Sequence, residues 1–134
     1  MRVIILAIVL LTAQNAFSCD LEFNVLKICG NIEFAAQPKV NVDSPFVLSF
    51  KKSLSNGSLQ PTYPSQQVEV ELWMPGMGHG SKPVKLMYFP NTGVIAVSSV
   101  YFIMGGDWQI KARLVDTVNG VKQTVDAAEF EISI

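Results

Sequence analysis

The sequence is poor in the groups that do most protein chemistry. It has one histidine, His79, and two cysteines, Cys19 and Cys29. One imidazole without a thiolate cluster is too little for a zinc site. A blue-copper centre, which uses two His and a Cys, fits as poorly. No glycine-rich loop leads into a helix to cradle phosphate, and no nucleophile elbow accompanies a serine. The acids fall on alternating positions, the pattern of a solvated face. The chain is therefore expected not to be an enzyme. Basic runs and patches are also missing, which argues against nucleic acid as a partner.

Long apolar runs are missing too, except at the start. Arg2 precedes an apolar stretch, 3–13, of the length of a signal h-region and too short to span a bilayer. Ala16-Phe17-Ser18 then offers small residues at −3 and −1 for cleavage before Cys19. Residues 1–18 are thus expected to be a signal peptide, and the protein to be exported, periplasmic or secreted. The remaining part, 19–134, is long enough for a single domain with a real core and has no segment of spanning length. Ten basic side chains, one of them Arg2, stand against eleven acidic ones, so residues 19–134 carry a formal charge of −2.

Export would place Cys19 and Cys29 where a disulfide persists. Closing so short a loop stabilises a fold by roughly 2–3 kcal/mol. The alternative is lipidation of Cys19, because cleavage falls directly before it. Against that, Phe17 is bulky where lipoprotein signals carry a small residue. The even cysteine count favours the disulfide. A metal pair is a third reading.

The rest reads as strands and turns. Phe46, Leu48 and Phe50 alternate with Val47, Ser49 and Lys51; Val68, Val70 and Leu72 with Glu69, Glu71 and Trp73. Trp108, Ile110, Ala112 and Leu114, and later Phe130, Ile132 and Ile134, do the same. This period of two means sheets with one buried and one wet face. Segments 21–28, 31–35, 85–89 and 94–103 are further strand candidates. Asn119-Gly120 between two valine-rich runs is a type I′ hairpin signal. Segment 53–67, rich in Ser, Pro and Gln, reads as a long mobile loop. The fold class expected is all-β: an immunoglobulin-like antiparallel β-sandwich of about seven strands, with a barrel as the lesser alternative.

One stretch stands out, Trp73-Met74-Pro75-Gly76-Met77-Gly78-His79-Gly80. All four methionines beyond Met1 lie between 74 and 104, beside the single histidine. Thioether sulfur is a soft ligand that selects Cu(I), and neutral imidazole suits copper as well. Met74, Met77 and His79 form an M-x-x-M-x-H string in which proline and glycines permit sharp turns. Met104, before Gly105-Gly106, is a fourth candidate donor, and Met87 a weaker one. The competing reading is packing: Met74 continues the Val68-Val70-Leu72 register, methionine fills irregular gaps beside aromatic rings, and His79 stands on an ordinary strand connection. Gly105-Gly106-Asp107-Trp108 reads as a turn entering a strand, with Asp capping and Trp packing.

Residues 71–80, together with Val100-Tyr101-Phe102-Ile103-Met104 and Gly106-Asp107-Trp108-Gln109-Ile110, resemble the YtkA-like domain, a relative of the FixH group. The resemblance covers roughly residues 40–134. It implies a bacterial exported or membrane-anchored immunoglobulin-like sandwich whose Met-Pro-x-Met-x-His loop binds copper, in connection with copper handling or respiratory oxidase assembly. Met74, Met77 and His79 are the positions it carries over. Met104 matches the second motif, with Gly105 where Pro is expected.

Two functions from different classes follow. One is a small exported Cu(I) carrier or chaperone, using Met74, Met77, His79 and Met104 and exchanging metal with a copper donor or acceptor protein. The other is a metal-free β-sandwich interaction module of the cell envelope, in which the same loop is structural.

Overall fold

The computed structural model describes residues 19–134, and the expected signal peptide lies outside them. Its strands are β1 (Leu21–Phe23), β2 (Ile28–Phe34), β3 (Phe46–Ser53), β4 (Leu59–Thr62), β5 (Gln67–Met74), β6 (His79–Gly80), β7 (Lys85–Phe89), β8 (Val94–Ser98), β9 (Asp107–Val118) and β10 (Val121–Ser133). Among the described residues there is no helix.

Two antiparallel sheets result. One runs β1-β2-β3-β8-β7, with β4 beside β3; the other runs β10-β9-β5-β6. The order β2-β3-β8-β7 opposite β10-β9-β5 is that of an immunoglobulin sandwich, with β6 where a C′ strand extends the second sheet. The seven-strand sandwich is present, and β1, β4 and β6 are short additions to it.

Alternation explains which faces meet. Phe46, Leu48 and Phe50 of β3, Ile95 and Val97 of β8, Val68, Leu72 and Met74 of β5, and Trp108, Ile110, Ala112 and Leu114 of β9 all point into one core. The outward positions of the second sheet carry ion pairs, among them Glu69 with Lys122 at 3.0 Å and with Arg113 at 3.7 Å. The β9–β10 hairpin turns at Asn119-Gly120, both with positive φ, as the type I′ signal requires.

Three segments depart from the sequence reading. Segment 53–67 is not one long loop. β3 runs past the end of its pairing with β8, and β4 fills the exposed edge, pairing Lys51 with Pro61 and Ser53 with Leu59. Pro61 is tolerated because β4 is itself an edge strand.

Segment 94–103 is a strand only to Ser98. Ser99 then takes a left-handed φ of 55°, and Val100 and Phe102 stay fully buried in an irregular segment. Their apolar character comes from that burial. Asn41 and Ser44 amides donate to the Phe102 and Val100 carbonyls at 2.9 and 2.8 Å, and the Val100 amide donates to Asp43 Oδ1 at 2.9 Å.

Segment 21–28 breaks after Phe23 into a turn, in which Lys27 has φ 56°. The turn is held from far along the chain. Asp126 lies at a bulge in β10 and is 7% exposed. Its Oδ2 accepts the Val25 and Leu26 amides at 2.9 and 2.8 Å. Cys19 and Cys29 form a disulfide that ties the chain before β1 to β2. That bond uses the sulfur a lipid thioether at Cys19 would need.

Candidate functional site

The site is built where β5 ends. The inward register of β5 delivers Met74, 5% exposed, to the rim of the core. The chain then reverses over residues 75–78. Pro75 fixes the first corner, and the Met77 and Gly78 amides both donate to the Met74 carbonyl, at 3.2 and 3.0 Å. Gly78 takes φ 65°, a left-handed turn exit that glycine reaches without strain. The turn brings His79 directly opposite Met74 in the β5–β6 ladder. Directly opposed residues project to the same face, with Cβ atoms roughly 5 Å apart. The methionine and the imidazole are therefore neighbours on the inner face, and both come from the loop singled out in the sequence.

Trp108 organises the rest. It is the first buried residue of β9, 1% exposed. Its indole Nε1 donates to the Met104 carbonyl at 2.9 Å. Its ring meets His79 edge-on at 6.4 Å and Phe102 edge-on at 5.6 Å. Met104 is half-buried against the core. Trp108 thus touches the His79 ring and the Met104 backbone, and His79 in turn stands opposite Met74. His79 Nδ1 lies 3.2 Å from the Gly80 carbonyl. In the tautomer that donates there, the Nε2 lone pair is left for another partner.

Met77 stands apart. It occupies the tip of the turn and is 60% exposed. Met87, 62% exposed, sits on β7 in the other sheet. Among the described residues no group of three or more His, Cys, Asp and Glu is placed to hold a metal ion.

Gly106 packs under the site. Its φ is 128°, and a Cβ placed on it would come within 2.9 Å of Met74 Cε. Its amide and carbonyl exchange hydrogen bonds with Ile134 at 3.0 and 2.9 Å. A cavity of about 390 Å³ adjoins this end, lined by Pro75, Asp107, Trp108, Gln109, Glu131, Ile132 and Ser133. Its lining mixes polar and apolar groups and includes none of the sulfur or imidazole donors.

Sequence reasoning placed Trp108 and Gly106 in a structural turn and assigned them no part in the site. The signal that could have found Trp108 is its position as first inward residue of a strand, next to the last methionine. The latch across the loop was not legible. Ser81 Oγ donates to the Tyr101 carbonyl at 2.5 Å, and Lys82 Nζ lies 4.0 Å over the Tyr101 ring. It joins two irregular segments twenty residues apart.

The fold and this end of it define a β-sandwich that carries a methionine–histidine hairpin on its inner rim. The YtkA-like family model matches residues 31–113, which run from β2 into β9 and include Met74, Met77, His79, Met104 and Trp108, and the chain belongs to that family. No curated protein and no solved structure matches it.

Proposed function

We propose that the protein binds Cu(I) at the Met74–His79 pair, with Met104 as an additional thioether and Met77 on the exposed tip of the same loop, and carries the ion as cargo between a copper donor and an acceptor protein. The observation that carries this reading is the cross-strand pair itself: a soft sulfur and a nitrogen donor stand directly opposite each other. Both donors are neutral when they bind, a set that suits a soft monovalent ion better than a hard divalent one. The Cys19–Cys29 disulfide supports a non-reducing compartment, periplasmic or extracellular. The protein acts by binding and release, without catalysis.

One observation favours the rival reading of a metal-free interaction module. Met74 is buried like any core side chain and packs on Gly106. The test is anaerobic Cu(I) titration of residues 19–134 against a chromophoric chelator, beside a Met74→Leu, His79→Ala double variant. Stoichiometric competition by the wild type, lost in the variant, is the expected result. Absence of competition by the wild type overturns the copper reading and leaves the hairpin a structural turn.

A further inference from the structure

The two methionines of the hairpin are unequal, although the sequence presents them as one string. Met74 is 5% exposed and Met77 is 60% exposed, three residues away. The backbone between them is held by the hydrogen bonds that the Met77 and Gly78 amides donate to the Met74 carbonyl. The space around the tip is open: a Cβ on Gly76 or on Gly78 would meet nothing within 4 Å. The turn therefore presents one exposed thioether to solvent, three residues after a thioether and two before an imidazole that face the core.

We infer that Met77 is the exchange ligand of this protein: it takes Cu(I) from, and returns it to, a partner that holds the ion by soft ligands, while Met74 and His79 are the resident ligands. The inference rests on the copper reading above. Cu(I) that is already coordinated does not travel as a free ion, so its transfer proceeds by adding one ligand before losing another. The Met77 thioether forms a Cu–S bond while the donor still holds the ion. Bonds to Met74 Sδ and to the His79 lone pair then form as the donor's bonds break. Copper stays monovalent throughout. A thioether has no proton to lose, so the first contact needs no base. Three rotatable bonds let the Met77 sulfur swing from solvent toward the rim of the core, a movement denied to Met74 by its packing. The acceptor implied is a protein or small chelator with thioether or thiolate donors at an accessible edge.

The test compares rate with affinity. Stopped-flow transfer from a chromophoric Cu(I) chelator to the protein is measured for wild type, Met77→Leu, Met74→Leu and Met87→Leu. The last removes an equally exposed methionine from the other sheet. Met77→Leu is expected to slow transfer by roughly tenfold in both directions while affinity changes by less than about threefold, since an unchanged equilibrium fixes the ratio of the two rates. Met74→Leu is expected to weaken affinity, and Met87→Leu to change neither. If Met77→Leu weakens affinity as much as Met74→Leu, Met77 is a resident ligand and the inference is wrong. If Met77→Leu leaves the rate unchanged, or if Met87→Leu slows it equally, the inference is also wrong. Wild-type protein that takes up no copper overturns the binding reading itself, and that outcome is visible before any variant is compared.

Discussion

Met74 and His79 face each other across the β5–β6 ladder, five positions apart in the chain and paired residue to residue. The pairing gives the two ends of one short string opposite duties in folding. Met74 closes the core, whereas His79 lies at its rim, half-buried, against the edge of Trp108.

The first consequence is a contrast in stability. Met74→Ala is expected to cost about 2–4 kcal/mol, because it empties a buried site. Met77→Ala is expected to stay within about 0.5 kcal/mol, as at most exposed positions. Urea unfolding of the metal-free protein measures both. Equal costs would contradict the inward register of β5.

Gly106→Ala is expected to destabilise by about 1–3 kcal/mol, because φ 128° is strained for an L side chain. The new methyl also displaces the Met74 terminal methyl, so near-ultraviolet circular dichroism of Trp108 should change with it. A silent substitution would mean that the loop before β9 adjusts freely.

How much of this could be read beforehand follows from the range of the forces. The β3, β5 and β9 faces were legible because alternation is written into neighbouring residues. Met74 as the continuation of β5 was legible for the same reason. The inequality of Met74 and Met77 was not: it depends on which side of a four-residue turn a side chain leaves. Nor was the burial of Val100 and Phe102 without a strand, since the partners that satisfy them, Asn41, Asp43 and Ser44, lie more than fifty residues upstream. β4 was hidden by Pro61, a residue that usually argues against a strand and is harmless at an edge.

Asp126 makes a sharper test of long-range structure. Removing its carboxylate in Asp126→Ala leaves the Val25 and Leu26 amides without their partner. The expected cost is about 2–3 kcal/mol. Asp126→Asn, which keeps one acceptor oxygen, is expected to cost less. Chemical denaturation resolves the difference, and an order reversed between the two variants would discredit the clamp.

Reduction of Cys19–Cys29, or its replacement by serine, is expected to lower stability by roughly 2–3 kcal/mol without loss of the fold, since the bond closes a loop of only ten residues' separation. The same denaturation experiment with and without reductant measures it. Complete unfolding on reduction would show that the core alone is insufficient.

Tyr63 predicts the alkaline behaviour. It is half-buried, edge-on to Phe50 at 6.4 Å. Burial first, and the nearby Tyr88 phenol second, raise its pKa above the ordinary tyrosine value. The folded state therefore keeps this proton more tightly than the unfolded chain. The resulting stability is fully present below the ordinary tyrosine range and is lost as pH rises through the folded value. Unfolding midpoints should decline over that alkaline window, and less steeply in Tyr63→Phe. A midpoint that rises there would reverse the sign of the argument.

The clamp at Asp126 also sets an order of assembly. The two amides it receives precede it by 101 and 100 residues, so the turn after β1 cannot be secured until β10 has left the ribosome or the membrane pore. A polypeptide threaded start-first across a membrane would thus emerge with the turn after β1 unsecured, and would finish that junction only when the β9–β10 hairpin arrived.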